Sequence, residues 1–349
     1  MKRVNFWKLL PIVLLAAGFT SCKKDDPAPP KATYGSGVFI VNEGPFENGT
    51  GSISFLNRET GGVEQDVFER VNGRPLGNIA QSMASFGTIG MLVVNNANKV
   101  EFVDLQDFKS IGVIENLAMP SQMVVAGNTG KAYLTEWVAF GSPGRVAVID
   151  IAARNVIKTI AVGEFPNAIH FHNNRVYVAN SNENTITEIT TSGDSVLQTY
   201  TVGNRPNSFR SWEGGLYVLC GGTPSWAGTE TPGALARLQS GQISIRNFTS
   251  ASMHPDKLNL HAASGAFLYN MGGAIYSLDQ SVTGDINPSQ AVIDRSFYHF
   301  AADPSAGGLL YGTDARGFSG NGWVYRYSQQ FVLRDSIPVG LGPGYIYFR

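Results

Sequence analysis

Charge is what this chain is short of. Only 15% of its 349 residues are Asp, Glu, Lys or Arg, and 26 basic residues are nearly cancelled by 27 acidic ones. A highly charged disordered chain and a coiled coil are thereby excluded, and the electrostatic footprint of a nucleic-acid-binding domain is missing. Two cysteines, Cys22 and Cys220, cannot make a disulfide scaffold. After residue 31 no stretch carries a sustained helical period, and neither a Gly-x-Ser-x-Gly elbow nor a Walker-type phosphate loop occurs. What the chain has in quantity is glycine, 40 residues, beside 17 prolines and a hydrophobic fraction of 43%.

The first 22 residues, MKRVNFWKLLPIVLLAAGFTSC, combine a basic start at Lys2 and Arg3 with an apolar run from Leu9 to Phe19. That run is too short to span a bilayer, so residues 1–21 read as a secretory signal. Phe19-Thr20-Ser21-Cys22 resembles a bacterial lipobox, which makes Cys22 the expected lipidation site and the mature N-terminus; ordinary secretion with cleavage near Cys22 is the alternative. Residues 22–34, with Lys23-Lys24-Asp25-Asp26 and a Pro-rich run from Pro27 to Pro30, read as a flexible tether. Short acidic clusters placed there resemble an export signal for the outer face of the outer membrane in Bacteroidetes-type bacteria; a solvated charge run is the plain reading. Losing Lys2, Arg3 and Lys8 with the signal leaves 23 basic against 27 acidic residues, a mildly acidic mature chain.

From residue 35 the chain is a repeat. Pro120, Pro166, Pro206, Pro255 and Pro343, with Ala80 and Phe297 filling two gaps, recur 40 to 49 residues apart. Each is followed by a short first strand, then by a second apolar strand such as VFIVNEG (38–44), RVYVANS (175–181) or GLYVLCG (215–221). A third strand follows, for example GSISFLN, GRVAVID, GALARLQ or GWVYRYS, after Gly or Asn turn chemistry. Seven copies predict an all-β chain: a seven-bladed β-propeller of four-stranded antiparallel blades spanning residues 35–349. The segment Gly344-Tyr345-Ile346-Tyr347-Phe348 matches a first strand, so the ring is expected to be closed by the C-terminal strand joining blade one.

The residues Val162-Gly163, Pro166-Asn167-Ala168-Ile169 and Arg175-Val176-Tyr177-Val178-Ala179-Asn180 resemble the YVTN-type propellers. Blades five to seven depart most from that pattern. The segments GVFIVNEGPFENGTGSISFLNRETG and AQSM (80–83) are similar to surface propeller lipoproteins of gut Bacteroidetes, some of which bind cobalamin above an outer-membrane, TonB-dependent transporter. The resemblance implies a corrinoid ligand, a transporter partner and a lipid-anchored place on the outer membrane facing the cell exterior. Fold alone does not fix that function.

Propeller geometry puts the loops between second and third strands on the face where the inner strands begin. Four of these loops are long: Glu43 to Gly51, Glu136 to Gly144, Gly221 to Gly233 and Thr313 to Gly322. They carry Phe46, Trp137, Phe140, Trp226 and Phe318, with Trp323 beside the last, and large rings in Gly-rich loops are expected to lie at least partly exposed on one rim. Folding back over a neighbouring blade is the alternative for each ring. The inner strands lead with Gln81, Ser121, Gln122, Asn167, Asn207, Asp256, Tyr298 and Tyr345. Amides at the centre and an aromatic wall suit a large neutral ligand, whether corrinoid, oligosaccharide or peptide segment. The candidate ligand-binding residues are therefore Glu43, Phe46, Gln81, Gln122, Trp137, Phe140, Asn167, Asn207, Trp226, Tyr298, Phe318 and Tyr345, with turn capping as the structural reading of Asn167 and Asn207.

Catalysis has thinner support. His170 and His172 alternate on one strand toward the short-turn side, and two ligands do not make a zinc site. His299 could serve as a base if Asp256 or Asp303 oriented it. Asn180 to Asn184 and Asp314 offer oxygen ligands for calcium, although polar blade loops commonly look like this. Cys220 reads as a buried core thiol. The expectation is a non-enzymatic binding protein without cofactor or resident metal; a surface propeller for a glycan or protein partner, and a lactonase-like hydrolase, are the other readings.

Overall fold

The computed structural model describes residues 34–349 apart from 262, 282, 289, 305, 306 and 308. The expected secretory signal, Cys22 and nearly all of the expected tether lie outside the described residues. Seven antiparallel sheets follow one another in a ring, and the strand order of the first sheet places Pro343–Phe348 beside Gly37–Asn42, which in turn pairs with Ser52–Asn57. Blade one is thus completed by a strand from the far end of the repeat, as the sequence predicts. The inner strands, Ala80–Phe86, Pro120–Val125, Pro166–His172, Pro206–Trp212, Asp256–Leu260, Phe300–Ala302 and Pro343–Phe348, pack side by side around the axis.

Second strands such as Gly37–Asn42 and Gly215–Cys220 are buried along their whole length, because a neighbouring blade covers each of their faces. This is why they read as continuous apolar runs rather than alternating ones. Outer strands such as Ser195–Thr201 are exposed at nearly every position. Instead of one central core there are seven apolar clusters, each between adjacent blades. Tyr133, Val146 and Val148 of blade three meet Val176, Val178 and Ile189 of blade four, and Tyr311 and Val324 of blade seven meet Val38, Ile40 and Ile346 of blade one. Each such side chain contributes about 1.5–3 kcal/mol when fully buried, so stability depends on every neighbour being present.

The glycine that opens several third strands has a reason beyond turn chemistry. A Cβ on Gly144 would run into the ring of Pro166, and one on Gly233 or Gly322 into Pro255 or Pro343; on Gly51 it would meet Ala80. The blade-leading residue thus packs against the bare backbone of the preceding blade.

Two departures from the sevenfold pattern stand out. Among the described residues blade six has three strands, Asp256–Leu260, Phe267–Met271 and Ala274–Leu278, with only an isolated bridge between Ile275 and Ile293 where a fourth would lie. Gly284 and Pro288 interrupt that segment, and proline cannot donate to a ladder. A short helix, Val67–Asn72, follows blade one and buries Val67 and Phe68 in the cluster it shares with blade two.

Candidate functional site

The mouth of the ring is built on one backbone device. The residue before the leading Pro or Ala of five inner strands has a left-handed conformation: Ile79 (φ 56°), Met119 (53°), Phe165 (50°), Arg205 (55°) and Gly342 (64°). Its carbonyl accepts the amide of the first residue past the second strand, in the pairs Asn95 to Ile79 (2.8 Å), Trp137 to Met119 (3.2 Å), Ser181 to Phe165 (3.1 Å), Gly221 to Arg205 (2.9 Å) and Glu43 to Gly342 (2.7 Å). Bulky residues adopt this conformation at a cost of about 1–2 kcal/mol. The device ties each second-to-third-strand loop to the rim.

Three aromatic stations stand there. In the first, Trp137 stacks on Phe165 with centroids 4.4 Å apart, and Phe140 lies 6.1 Å from Phe165 and 6.3 Å from Trp137. The base of this loop is fixed by the buried Glu136 carboxylate, which accepts Nε and Nη2 of Arg145 (2.6 and 3.1 Å) and the amide of Ala118 (2.5 Å). Phe140 remains 72% exposed, while the Trp137 indole nitrogen is buried without an acceptor. In the second, the Arg205 guanidinium lies 5.5 Å from the ring of Trp226, which is 79% exposed in a short 3-10 turn, Ser225–Ala227. In the third, Phe318 meets Tyr298 edge-on at 5.4 Å, and the Tyr298 hydroxyl donates to the Glu43 carboxylate at 2.9 Å. Burial raises the Glu43 carboxyl above its usual range against the opposing effect of that bond, and burial with the nearby carboxylate raises the Tyr298 phenol. Phe46 is 75% exposed in the first blade's loop.

The structure thus brings together Trp137 with Phe140, and Glu43 with Tyr298 and Phe318. It places the central amides differently from one another. Asn167 accepts the Ser121 hydroxyl (2.8 Å), and Asn207 donates to the Pro255 carbonyl (2.9 Å) while accepting the Ser208 hydroxyl (2.7 Å). The Ser121 to Asn167 and Asn207 to Pro255 bonds stitch neighbouring blades, as does Ser82 donating to the Ser121 carbonyl (2.7 Å). Gln81 and Gln122 are half-buried and make no side-chain hydrogen bond among the described residues. Tyr345 stands apart from the aromatic rim, on an inner strand with its ring 5.4 Å from that of His299. Trp323 is half-buried at a strand start, opposite Asp314. Phe165 and Arg205 are site residues that the sequence reading missed; their signal is their place one residue before the leading proline.

Residues considered for chemistry are otherwise engaged. Ser211 Oγ bonds both His170 Nε2 (2.9 Å) and His172 Nδ1 (2.8 Å). Among the described residues no carboxylate hydrogen-bonds the His299 ring: Asp256 is held by Lys257 and Asn270, and Asp303 pairs with Arg58. Burial, helped by Lys257 and Arg210, pushes the His299 imidazole down to about 3. Asn180 and Glu183 bond Thr185, Thr187 and the Gly163 and Glu164 amides, and Asp314 accepts the Arg316 amide. No cluster of metal-ligating side chains occurs among the described residues. Cys220 is buried, which raises its thiol to about 12 and keeps it unreactive. Among the described residues, one cavity of ≈ 290 Å³ lies between the outer strands of blades three and four, beside Asn180, Glu183 and Thr187, and one of ≈ 220 Å³ lies at the short-turn end beside His172, Tyr177 and Tyr200.

Solved structures share this architecture. A functionally unknown protein from Desulfotomaculum acetoxidans is 10% identical with a TM-score of 0.65, covering 90% of this chain and 98% of its own. Apo AztD from Citrobacter koseri is 13% identical with a TM-score of 0.55, over 88% of this chain and 83% of its own. The dihydro-heme d1 dehydrogenase NirN in complex with DHE is 11% identical with a TM-score of 0.56, over 92% and 77%. At such identities the likeness concerns the fold, and the group includes an enzyme. No curated protein matches the chain. A family does match, over residues 36–329, most of the ring just described: the chain belongs to the family described as Domain of unknown function (DUF5074).

Proposed function

We propose that this propeller is a non-enzymatic binding protein that captures a large neutral ligand on its long-loop face, and that the ligand is a corrinoid such as cobalamin. In this reading Cys22 carries the lipid that anchors the protein to the outer membrane, facing the exterior, and the captured ligand passes to a TonB-dependent transporter. The observation that carries the reading is the rim itself: exposed Phe46, Phe140 and Trp226, with Trp137 stacked on Phe165, all on loops that open to one end of the ring. Exposed rings on a monomer mark interaction sites, and flat apolar faces with amides at the centre match a corrin's methylated rim and amide side chains. The corrinoid identity and the transporter rest on the resemblance to surface propellers of gut Bacteroidetes.

Calorimetric titration with cyanocobalamin is the test. Saturable heat at micromolar concentration, weakened about tenfold or more by Trp137→Ala or Trp226→Ala, supports the reading; no heat removes the corrinoid. Replacing Cys22 by Ser is expected to release the protein from the membrane fraction, and continued retention counts against an anchor at that residue.

A further inference from the structure

One carboxylate on the long-loop face stands without a counter-charge. Glu43, the first residue past the strand Gly37–Asn42, donates its amide to the Gly342 carbonyl. Its carboxylate lies against the bare backbone of Gly344, where a Cβ would come within 2.2 Å of Oε1. The Tyr298 hydroxyl, 3.0 Å from Oε1 and 2.9 Å from Oε2, is the one hydrogen-bond donor it has among the described residues, and no ion pair holds it there. Other acids on this face are matched by a cation, Glu136 by Arg145 and Asp256 by Lys257.

Two aromatic walls complete a corner around this acid. Phe318 meets Tyr298 with centroids 5.4 Å apart and ring planes at 85°. The Phe318 ring also rests on Gly342, where a Cβ would come within 2.6 Å of the ring and 3.6 Å of Glu43 Cβ. Glu43, Tyr298 and Phe318 therefore close a triangle over Gly342 and Gly344, both of which must lack a side chain for it to form. Tyr298 is 40% exposed and Phe318 44%, so ring surface faces solvent beside the carboxylate. Aromatic faces attract cations, more strongly where water is excluded, and a half-buried carboxylate short of partners draws the same charge. An anion would be repelled here, and an apolar group would leave the acid unpaired. Burial raises the Glu43 carboxyl, a direction that a cation in the corner would reverse.

We propose that this corner between blades one and seven is a cation site that takes an ammonium group, primary or methylated, against the Glu43 carboxylate and the rings of Tyr298 and Phe318. The corner shares the long-loop face with Trp137 and Trp226 but lies on other blades, so the proposal rests on that face being a binding face and not on the corrinoid.

The test adds methylammonium chloride or, in a separate series, tetramethylammonium chloride to the purified protein, with sodium chloride adjusted to hold ionic strength constant. Mildly alkaline pH keeps the Glu43 carboxyl ionised, and melting temperature and calorimetric heat are read. At least one series should show saturable binding, methylammonium where the carboxylate dominates and tetramethylammonium where the rings do. Glu43→Gln keeps the shape, removes the charge and should weaken that binding at least about tenfold. Should that variant fail to fold, Phe318→Ala trims an exposed loop ring and should weaken the same binding. The cyanocobalamin titration is a separate readout, so loss of one ligand is distinguishable from loss of the other. No saturable binding of either cation to the wild type overturns the proposal, and so does binding that survives undiminished in Glu43→Gln or Phe318→Ala.

Discussion

The two ends of this ring are made from the same seven repeats and do different work. At the short-turn end, connections such as His172-Asn173-Asn174 close in a few residues, with Asn173 and Asn174 in left-handed conformations (φ 47° and 58°) that asparagine tolerates. At the other end, long loops carry the exposed rings; bulky residues take left-handed positions at both ends, Phe165 and Ile79 at this one and Phe108, Arg154 and Phe331 in the short turns. The ends differ in loop length and in exposed rings, and the proposed binding face uses the long-loop end.

The largest expected effect comes from breaking what both ends share. Deleting Tyr345 to Arg349 removes most of the strand that completes blade one and exposes Val38–Val41. The cooperative thermal transition should be lost, and a truncated protein melting as the wild type does would show that closure is dispensable. A finer comparison sets two glycines at opposite ends against each other. Gly144→Ala at the long-loop end drives a methyl into Pro166 and should cost about 1–3 kcal/mol, as overpacking does. Gly130→Ala at the short-turn end meets open space and carries only the strain of φ 72°, about 1 kcal/mol. Equal losses by denaturant unfolding would mean that blade-to-blade contact is not what fixes the first glycine.

The last comparison is read by pH. Burial holds His170 and His299 at about 3 in the folded state, below the ordinary 6.5. The unfolded chain therefore binds the extra protons first. This stabilising effect is complete above pH 6.5 and is lost progressively as pH falls from there toward 3, by about 1.4 kcal/mol per unit for each ring. His299→Phe should flatten the stability profile between pH 6.5 and 5 by one such increment. An unchanged slope would place His299 in contact with bulk water.

Much of this was legible in the sequence because propeller strands are sorted by burial: Val38–Val41 and Leu216–Cys220 are covered on both faces and read as apolar runs. The leading prolines were legible as punctuation, but their partners were not, since that Gly144 faces Pro166 is a fact about two blades. Phe165 escaped notice because its role follows from a left-handed carbonyl accepting the Ser181 amide. That blade six shows three strands among the described residues was hidden by a segment polar enough to pass for a loop and apolar enough, at Ile286 and Ile293, to pass for a strand.

The pairing of Val38 with Phe348 also sets a clock. Blade one is the first to emerge during synthesis and the last that can be finished, so its second strand waits, apolar on both faces and unpaired on one edge, until the whole ring has been made. Contacts so distant in sequence form slowly, and an open edge of this kind invites pairing with another chain. The interval between the first blade and its final strand is when the protein is most exposed to misassembly, and slowing synthesis late in the chain should harm its yield more than slowing it early.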